Sequence, residues 1–133
     1  GLGDVYKRQL MWIFTETGFV SAVQHRENPE YLMVRARDRE SLEALATMLS
    51  VEIKSTPTAD YPYRLVASKE DVKSWMNDSI DFLGYSNFKN QVAITRGKEY
   101  AYALGSVWST MHDVEDEEAR TRYVAYESSL GFR

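Results

Sequence analysis

The chain has 133 residues, which is the usual size of a single domain. Its hydrophobic fraction of 44% and aromatic fraction of 13% are typical of a folded protein and exclude an intrinsically disordered chain. The formal net charge of −4 argues against general nucleic-acid binding, which needs a basic surface. Because there is no cysteine, disulfides and zinc–thiolate sites are excluded, and a reducing compartment is expected. No apolar run approaches the roughly 18 residues that span a bilayer, so we expect a cytoplasmic protein without a membrane span.

The first ten residues are predicted to be a leader that does not belong to the native protein. Residues 4–9 (DVYKRQ) resemble the in-frame translation of a transposon-end adapter used in sequencing libraries. This resemblance implies that residues 1–10 are a non-native leader from the assembly of environmental DNA, and that the native sequence begins at Met11. A true N-terminal extension is the alternative interpretation.

The first predicted elements are strands. Residues 12–14 and 19–24 are rich in aromatic and β-branched residues, and the residues between them predict a turn or a bulge. Residues 31–37 alternate between two faces and predict a half-buried strand that completes an antiparallel hairpin. Its outward arginines, Arg35 and Arg37, are expected to be solvated.

A helix and two further strands follow. Asp38 predicts the start of a helix, since apolar residues recur with helical spacing from Leu42 onward. Residues 51–54 predict a short strand. Residues 61–67 predict another strand, and Pro62 places the start of this strand at a sheet edge.

Two longer helices are predicted in the second half of the chain. Ser68 opens a capping box, and the helix that follows carries an apolar stripe that includes Phe82 and Leu83 and ends at Gly84. A third helix is predicted over residues 86–112, because apolar side chains keep a helical phase there. The two glycines inside it predict a kink or a close contact.

The composition changes after residue 112. Residues 115–118 are four consecutive acids, and we expect residues 113–133 to form an acidic, helical tail. The sequence therefore predicts one α+β domain over residues 11–112. Its expected architecture is a small antiparallel sheet of about four strands, with one face covered by two or three helices. Because two helices carry wide apolar stripes and the sheet is small, we also expect a homo-oligomer.

Three segments are similar to an uncharacterised family of small bacterial and phage proteins. They are residues 12–24 (WIFTETGFVSAVQ), residues 60–64 (DYPYR) and residues 85–89 (YSNFK). The resemblance covers residues 11–112, and the acidic tail departs from it. It implies a bacterial or phage origin and the limits of the domain, and it implies no catalytic residue.

No motif in the sequence points to catalysis. The two histidines, His25 and His112, lack the spacing that metal sites use on a helix. Ser21, Ser68 and Ser106 lack the glycine context of a nucleophile elbow, and no glycine-rich turn suits a phosphate loop. We therefore expect no catalytic residue, no metal and no cofactor, and a protein that is not an enzyme.

Residues 61–108 concentrate aromatic and basic side chains. Arg96 falls near the apolar phase of the third helix, where a cation must pair, snorkel or face a ligand. Aromatic rings stack on bases and arginines bind phosphates, so this composition predicts a site for a nucleotide-like anion. Alternatively, the rings belong to the core and the cations are solvated. The residues assigned to the ligand site are Tyr61, Tyr63, Arg64, Asn87, Phe88, Lys89, Arg96, Tyr100 and Trp108.

These observations lead to three functional hypotheses. The first is a non-enzymatic binding protein that captures a small anionic, nucleotide-like ligand, with a signalling nucleotide of antiphage defence as the preferred candidate. The second is a protein-binding module that inhibits a host protein through exposed aromatic anchors and the acidic tail. The third is a small nucleotide-processing enzyme that uses His25 or His112.

Overall fold

A computed structural model describes residues 10–130, which form five β-strands and four α-helices in the α+β arrangement that the sequence predicts. The predicted leader, residues 1–10, lies outside the described residues except for Leu10, which begins the first strand. The strands are β1 (Leu10–Thr15), β2 (Gly18–Gln24), β3 (Tyr31–Ala36), β4 (Lys54–Ser55) and β5 (Tyr63–Ser68).

The strands form one sheet in the order β1-β2-β3-β5-β4, and every neighbouring pair is antiparallel. The first three strands pair in the order in which they follow along the chain, and the pair of β2 and β3 is the hairpin that the sequence predicts. The fifth strand then enters between β3 and the two-residue strand β4. Within residues 10–130 the sheet therefore has five strands, one more than the approximate number expected.

The helices are α1 (Glu40–Leu49), α2 (Lys69–Asp81), α3 (Phe88–Arg96) and α4 (Lys98–Ser129). Two of them begin at side-chain caps. The Ser68 hydroxyl accepts a hydrogen bond from the backbone N–H of Asp71 at 3.1 Å, and Asn87 accepts one from Asn90 at 3.0 Å. Such caps satisfy backbone donors that the first helical turn leaves unpaired.

The core lies between one face of the sheet and the helices α1 and α2. Val34 and Leu65 from neighbouring strands pack with Leu42 and Leu45 of α1 and with Trp75 of α2, and all five are at most 6% exposed. Alternate residues of each strand point to this face, so a strict period of two places the small and branched side chains inside. Within residues 10–130, the helices in extensive contact with the sheet are α1 and α2, and both belong to this core.

Two helix boundaries differ from the prediction. The predicted helix over residues 86–112 is interrupted at Gly97, whose φ of 94° and ψ of 164° are not helical. The second part, α4, continues through the acidic segment to Ser129. Helix α2 ends at Asp81, and Phe82 is 85% exposed, so Phe82 does not extend the buried stripe. None of the helices within residues 10–130 has an apolar stretch long enough to cross a membrane.

Candidate functional site

The face of the sheet that points away from α1 and α2 is called the open face. Strand pairing places two parallel rows of side chains across this face. The first row is apolar and consists of Leu10, Val23, Met33 and Val66, and the second row contains the charged residues. The second row consists of Trp12, Ser21, Arg35 and Arg64, and it ends at the exposed Lys54 on β4.

Arg35 and Arg64 are directly opposite each other on β3 and β5. Both side chains are half-buried, and neither forms a salt bridge with a carboxylate of residues 10–130. Like charges in this cross-strand position repel each other, and burial removes part of the water that would screen them. The open face therefore holds two adjacent positive charges that a bound anion would neutralise.

Several contacts fix the two guanidinium groups. Nη2 of Arg35 donates a hydrogen bond to the fully buried Ser21 hydroxyl at 3.0 Å, and the Tyr61 ring centroid lies 4.6 Å from the Arg35 guanidinium carbon. Nη2 of Arg64 donates to the Tyr61 carbonyl at 3.2 Å. The Nε atoms of both arginines are buried without a hydrogen-bond partner within residues 10–130, which is an unfavourable state for a charged donor.

A cavity of about 700 Å³ lies beside these arginines. Its apolar lining comes from Leu10, Val23 and Met33, while Arg35 and Arg64 form its cationic side. Gln24 at the end of β2 and three residues of the turn that follows, His25, Arg26 and Glu27, complete the lining.

His25 has a defined hydrogen-bonding state in this cavity. Its Nδ1 accepts hydrogen bonds from the backbone N–H groups of Glu27 at 3.2 Å and Asn28 at 3.3 Å. The proton of the neutral imidazole is therefore on Nε2, which remains as a donor. A neighbouring cavity of about 220 Å³ shares His25 and is also lined by Tyr31, a ring that is 40% exposed.

Two of the predicted site residues belong to the open-face region, and one lies on the opposite side of the sheet. Arg64 lines the cavity. Tyr61 is only 6% exposed, and the guanidinium groups of Arg35 and Arg37 lie 4.6 Å from its ring centroid. Tyr61 therefore positions Arg35 and does not offer its own ring to a ligand. Tyr63 packs against the core on the helix-covered side.

Arg96 and Tyr100 belong to a second place, which is called the Arg96 cluster. The Arg96 side chain is 8% exposed and forms ion pairs with Asp38 and Glu40, although the approach of Nε to Glu40 lacks the angle of a hydrogen bond. Nη1 donates to the Thr17 carbonyl at 2.7 Å, and the Tyr100 ring centroid lies 3.9 Å from the guanidinium carbon. These contacts join the α3–α4 region to α1 and to the β1–β2 turn.

The surroundings of Arg96 satisfy its charge. Burial by itself lowers the pKa of this guanidinium, but the hydrogen bond and charge of Asp38, with the charges of Tyr100 and Glu40, raise the pKa above its ordinary value. Gly18 lies close to the cluster, because a Cβ at that position would be 2.1 Å from the Ser41 hydroxyl. The Arg96 cluster is thus a closed structural contact without room for a ligand.

The remaining predicted residues line a third place, the α3–α4 groove. Asn87, Phe88, Lys89 and Trp108 line this cavity of about 800 Å³. The Lys89 ammonium lies 5.7 Å from the ring centroid of Tyr102, and Trp108 is 69% exposed. The predicted residues are therefore divided among three places, and none of the cavities within residues 10–130 is lined both by Arg64 and by these α3–α4 residues.

Arg35 is a cavity residue that the sequence analysis did not include in the predicted ligand site. It was expected to be solvated, but it is half-buried between Ser21 and Tyr61. Alternation along β3 and β5 does place Arg35 and Arg64 on the outward side of their strands. The signal that was missing is the strand order, because only the pairing of β3 with β5 makes the two arginines neighbours.

Two further features limit the chemistry. No group of three or more potential metal ligands occurs within residues 10–130. An apolar cavity of about 290 Å³, between β1 and α2, has Glu16 as the only charged residue in its lining, so it does not suit an anion.

Comparison of the chain with protein-family models, with curated proteins and with solved structures gave no match.

Proposed function

We propose that the chain is a binding protein that captures a small anionic, nucleotide-like ligand on the open face of its sheet. The observation that carries this proposal is the adjacent pair of Arg35 and Arg64, which face one cavity and have no carboxylate partner within residues 10–130. Arg96, by contrast, already has two carboxylates. A phosphate therefore fits the first two arginines and not the third.

The arginine pair has the chemistry of a phosphate site. A guanidinium group offers planar, paired donors that match two phosphate oxygens, and charge-assisted hydrogen bonds of this kind are stronger than neutral ones. A bound phosphate also removes the repulsion between Arg35 and Arg64, so part of its binding energy comes from relief of strain in the free protein. Glu27 also lines the cavity, and its negative charge would disfavour a second phosphate.

The rest of the cavity suits an apolar or aromatic group attached to the phosphate. Leu10, Val23 and Met33 provide the apolar lining, and the volume of about 700 Å³ is within the ordinary range for small-molecule sites. Trp12, which is 61% exposed, lies two strands from Arg35 in the same row, or about 10 Å at the usual strand spacing. This distance lets a base contact the Trp12 ring while its phosphate reaches the arginines.

A free nucleotide fits the charge of the chain better than a polynucleotide does. Binding to nucleic acid depends on many phosphate contacts, and this chain has a net charge of −4. Among free nucleotides, the signalling nucleotides of antiphage defence are the preferred class. That choice rests on the resemblance of residues 12–24, 60–64 and 85–89 to bacterial and phage proteins.

A melting experiment tests the proposal. The full chain is heated with a panel of cyclic oligonucleotides, ADP-ribose derivatives and inorganic phosphate. A ligand at 100 times its dissociation constant adds about 2.7 kcal/mol to stability, which raises the melting temperature by about 10 °C for a chain of this size. We expect at least one nucleotide to give such a rise.

Matched variants locate the effect. Arg35→Gln and Arg64→Gln each remove one cation of the pair, and we expect either change to abolish the rise. Arg39→Gln removes an exposed arginine that lies outside the cavity, and we expect the rise to remain. A panel without any rise, or a rise that survives both Arg35→Gln and Arg64→Gln, would overturn the proposal.

A further inference from the structure

Most of helix α4 has no packing partner among residues 10–130 of the same chain. Every residue from 106 to 126 is exposed, and α3 is the only element in extensive contact with α4 within residues 10–130. Large apolar side chains are exposed along this segment, including Trp108 at 69%, Met111 at 59% and Tyr126 at 61%. Because a long helix in water gains most of its stability from packing of its apolar face, this exposure calls for a partner surface.

The side chains of one face of α4 recur with an 11-residue period. Positions 108, 119 and 130 share one phase, as do 111 with 122 and 115 with 126. Such a period keeps a nearly straight stripe along the helix, so two helices can remain in contact over its length. The stripe consists of Trp108, Met111, Glu115, Ala119, Arg122 and Tyr126, and it ends at Leu130.

The order of chemical types along the stripe decides which partner it fits. From each end of the stripe towards its centre, two apolar residues are followed by one charged residue, and the small Ala119 lies at the centre. The charged residues have opposite signs, with Glu115 on one side of Ala119 and Arg122 on the other. A copy of the helix in the reverse direction therefore presents a cation to each acid and an apolar residue to each apolar residue.

We propose that α4 pairs in antiparallel orientation with α4 of a second copy of this chain, centred on Ala119. Glu115 then faces the partner's Arg122, Met111 faces the partner's Tyr126, and Trp108 faces the partner's Leu130. A parallel pair would place Glu115 against Glu115 and Arg122 against Arg122, and such like-charge contacts select against that orientation. The paired segment from residue 108 to 130 is about 33 Å long.

The contacts of Arg122 within one chain are compatible with this pairing. Its Nη1 lies 3.2 Å from Glu118, one helical turn earlier, and both side chains are largely exposed. The guanidinium group has five donors, so it can bind Glu118 of its own chain and the partner's Glu115 together. The two acids and the arginine then form a small network on each side of the central alanine.

Charge reversal tests the pairing in the full-length chain. The mass in solution is measured by light scattering or sedimentation over the micromolar concentration range. We expect the unaltered chain to be a dimer, and Glu115→Arg and Arg122→Glu to be monomers when each is measured alone. An equimolar mixture of these two variants, and the double variant with both changes, restore opposite charges and should form dimers. Glu117→Arg reverses a charge on the opposite side of α4 and should leave the dimer intact.

Engineered cysteines test the orientation, since the chain has none of its own. Met111→Cys and Tyr126→Cys chains are mixed and oxidised, and we expect a disulfide between the two kinds of chain. A monomeric unaltered chain, dimers that persist in both single charge-reversal variants, or disulfides only between identical chains would overturn the proposal. These outcomes do not depend on ligand binding, so a failure of the dimer proposal would not contradict the nucleotide proposal, and the reverse is also true.

Discussion

Arginine has two physically different roles in this chain, and the neighbours of each guanidinium decide which one applies. Arg96 has Asp38 and Glu40 beside it and a carbonyl oxygen as acceptor, so its charge is balanced within the fold. Arg35 and Arg64 have a hydroxyl, a carbonyl and each other, so their charges are not balanced within residues 10–130. The first arrangement stabilises the fold, and the second leaves an anion site.

Replacement of Arg96 by methionine tests its structural role. Arg96→Met retains the length of the side chain but leaves Oδ2 of Asp38 and the Thr17 carbonyl without their arginine donor, so we expect a loss of about 2 kcal/mol in the free energy of unfolding. Arg39→Met, at an exposed position, should change it by less than about 0.5 kcal/mol. Urea denaturation measures both values, and equal losses in the two variants would contradict a structural role for Arg96.

The sign of the Arg96 pKa shift also predicts a pH dependence. Because folding raises the pKa of this group, its contribution to stability is complete below the ordinary arginine pKa and is lost only as pH rises through the raised value. We therefore expect the difference between the unaltered chain and Arg96→Met, measured by denaturation at neutral and at mildly alkaline pH, to be the same. A difference that disappears on going from neutral to mildly alkaline pH would contradict this assignment.

At the scale of elements, the joint between α3 and α4 depends on one backbone conformation. Gly97 has φ of 94° and ψ of 164°, which side chains other than glycine rarely adopt. No atom of the described residues lies within 4 Å of the position that a Cβ would occupy, so the restriction is conformational and not a clash. The joint turns the chain so that Arg96 at the end of α3 and Tyr100 in the first turn of α4 both reach the Arg96 cluster.

Alanine at Gly97 should therefore destabilise the protein. We expect Gly97→Ala to reduce the free energy of unfolding by about 1–3 kcal/mol, which is the usual cost of this conformation. Gly84→Ala is the matched control, because Gly84 has an ordinary φ and space for a Cβ, and it should be neutral or stabilising by about 0.5 kcal/mol. Thermal or urea denaturation measures both variants, and a stabilised Gly97→Ala variant would show that α3 and α4 prefer to form one helix.

The sequence predicts elements better than it predicts their ends. Aromatic and β-branched residues identify β2, alternation identifies β3, and the capping serine identifies the start of α2, because these signals are local. The two glycines of the third helix predict a kink or a close contact but not a complete break at Gly97, since a glycine inside a helical pattern indicates a cost of about 1 kcal/mol without indicating which conformation it adopts. The tertiary contacts of Arg96 determine the backbone conformation at Gly97, and the partners of Arg96 lie 55 to 79 residues away from it in sequence.

At the scale of the whole molecule, the candidate site depends on strand order. The α+β class follows from local patterns, but the neighbouring positions of Arg35 and Arg64 require that β5, and not β4, pairs with β3. Nearness in sequence was misleading for the other predicted residues. Asn87, Phe88, Lys89 and Trp108 line a separate groove, and Arg96 is enclosed in its own cluster.

The molecule thus has separate surfaces for the two proposed interactions. The open face carries the two arginines that have no carboxylate partner within residues 10–130, and the exposed part of α4 carries the apolar stripe. The net charge of −4 does not conflict with an anion site. Helix α4 has seven acidic and three basic residues, so the excess of negative charge lies in this helix, while the arginine pair lies in the sheet. Binding of a ligand to the sheet should therefore be insensitive to charge reversal at Glu115 or Arg122.

The most direct test of the ligand site is nuclear magnetic resonance of the arginine Nε–H groups during a titration. The Nε atoms of Arg35, Arg64 and Arg96 are all buried, so their protons are protected from exchange with water and can be followed individually. With the nucleotide that gives the largest rise in melting temperature, we predict that the signals of Arg35 and Arg64 shift together and saturate, while that of Arg96 does not move. Shifts confined to Arg96 or to residues of the α3–α4 groove, with Arg35 and Arg64 unchanged, would contradict the placement of the ligand on the open face.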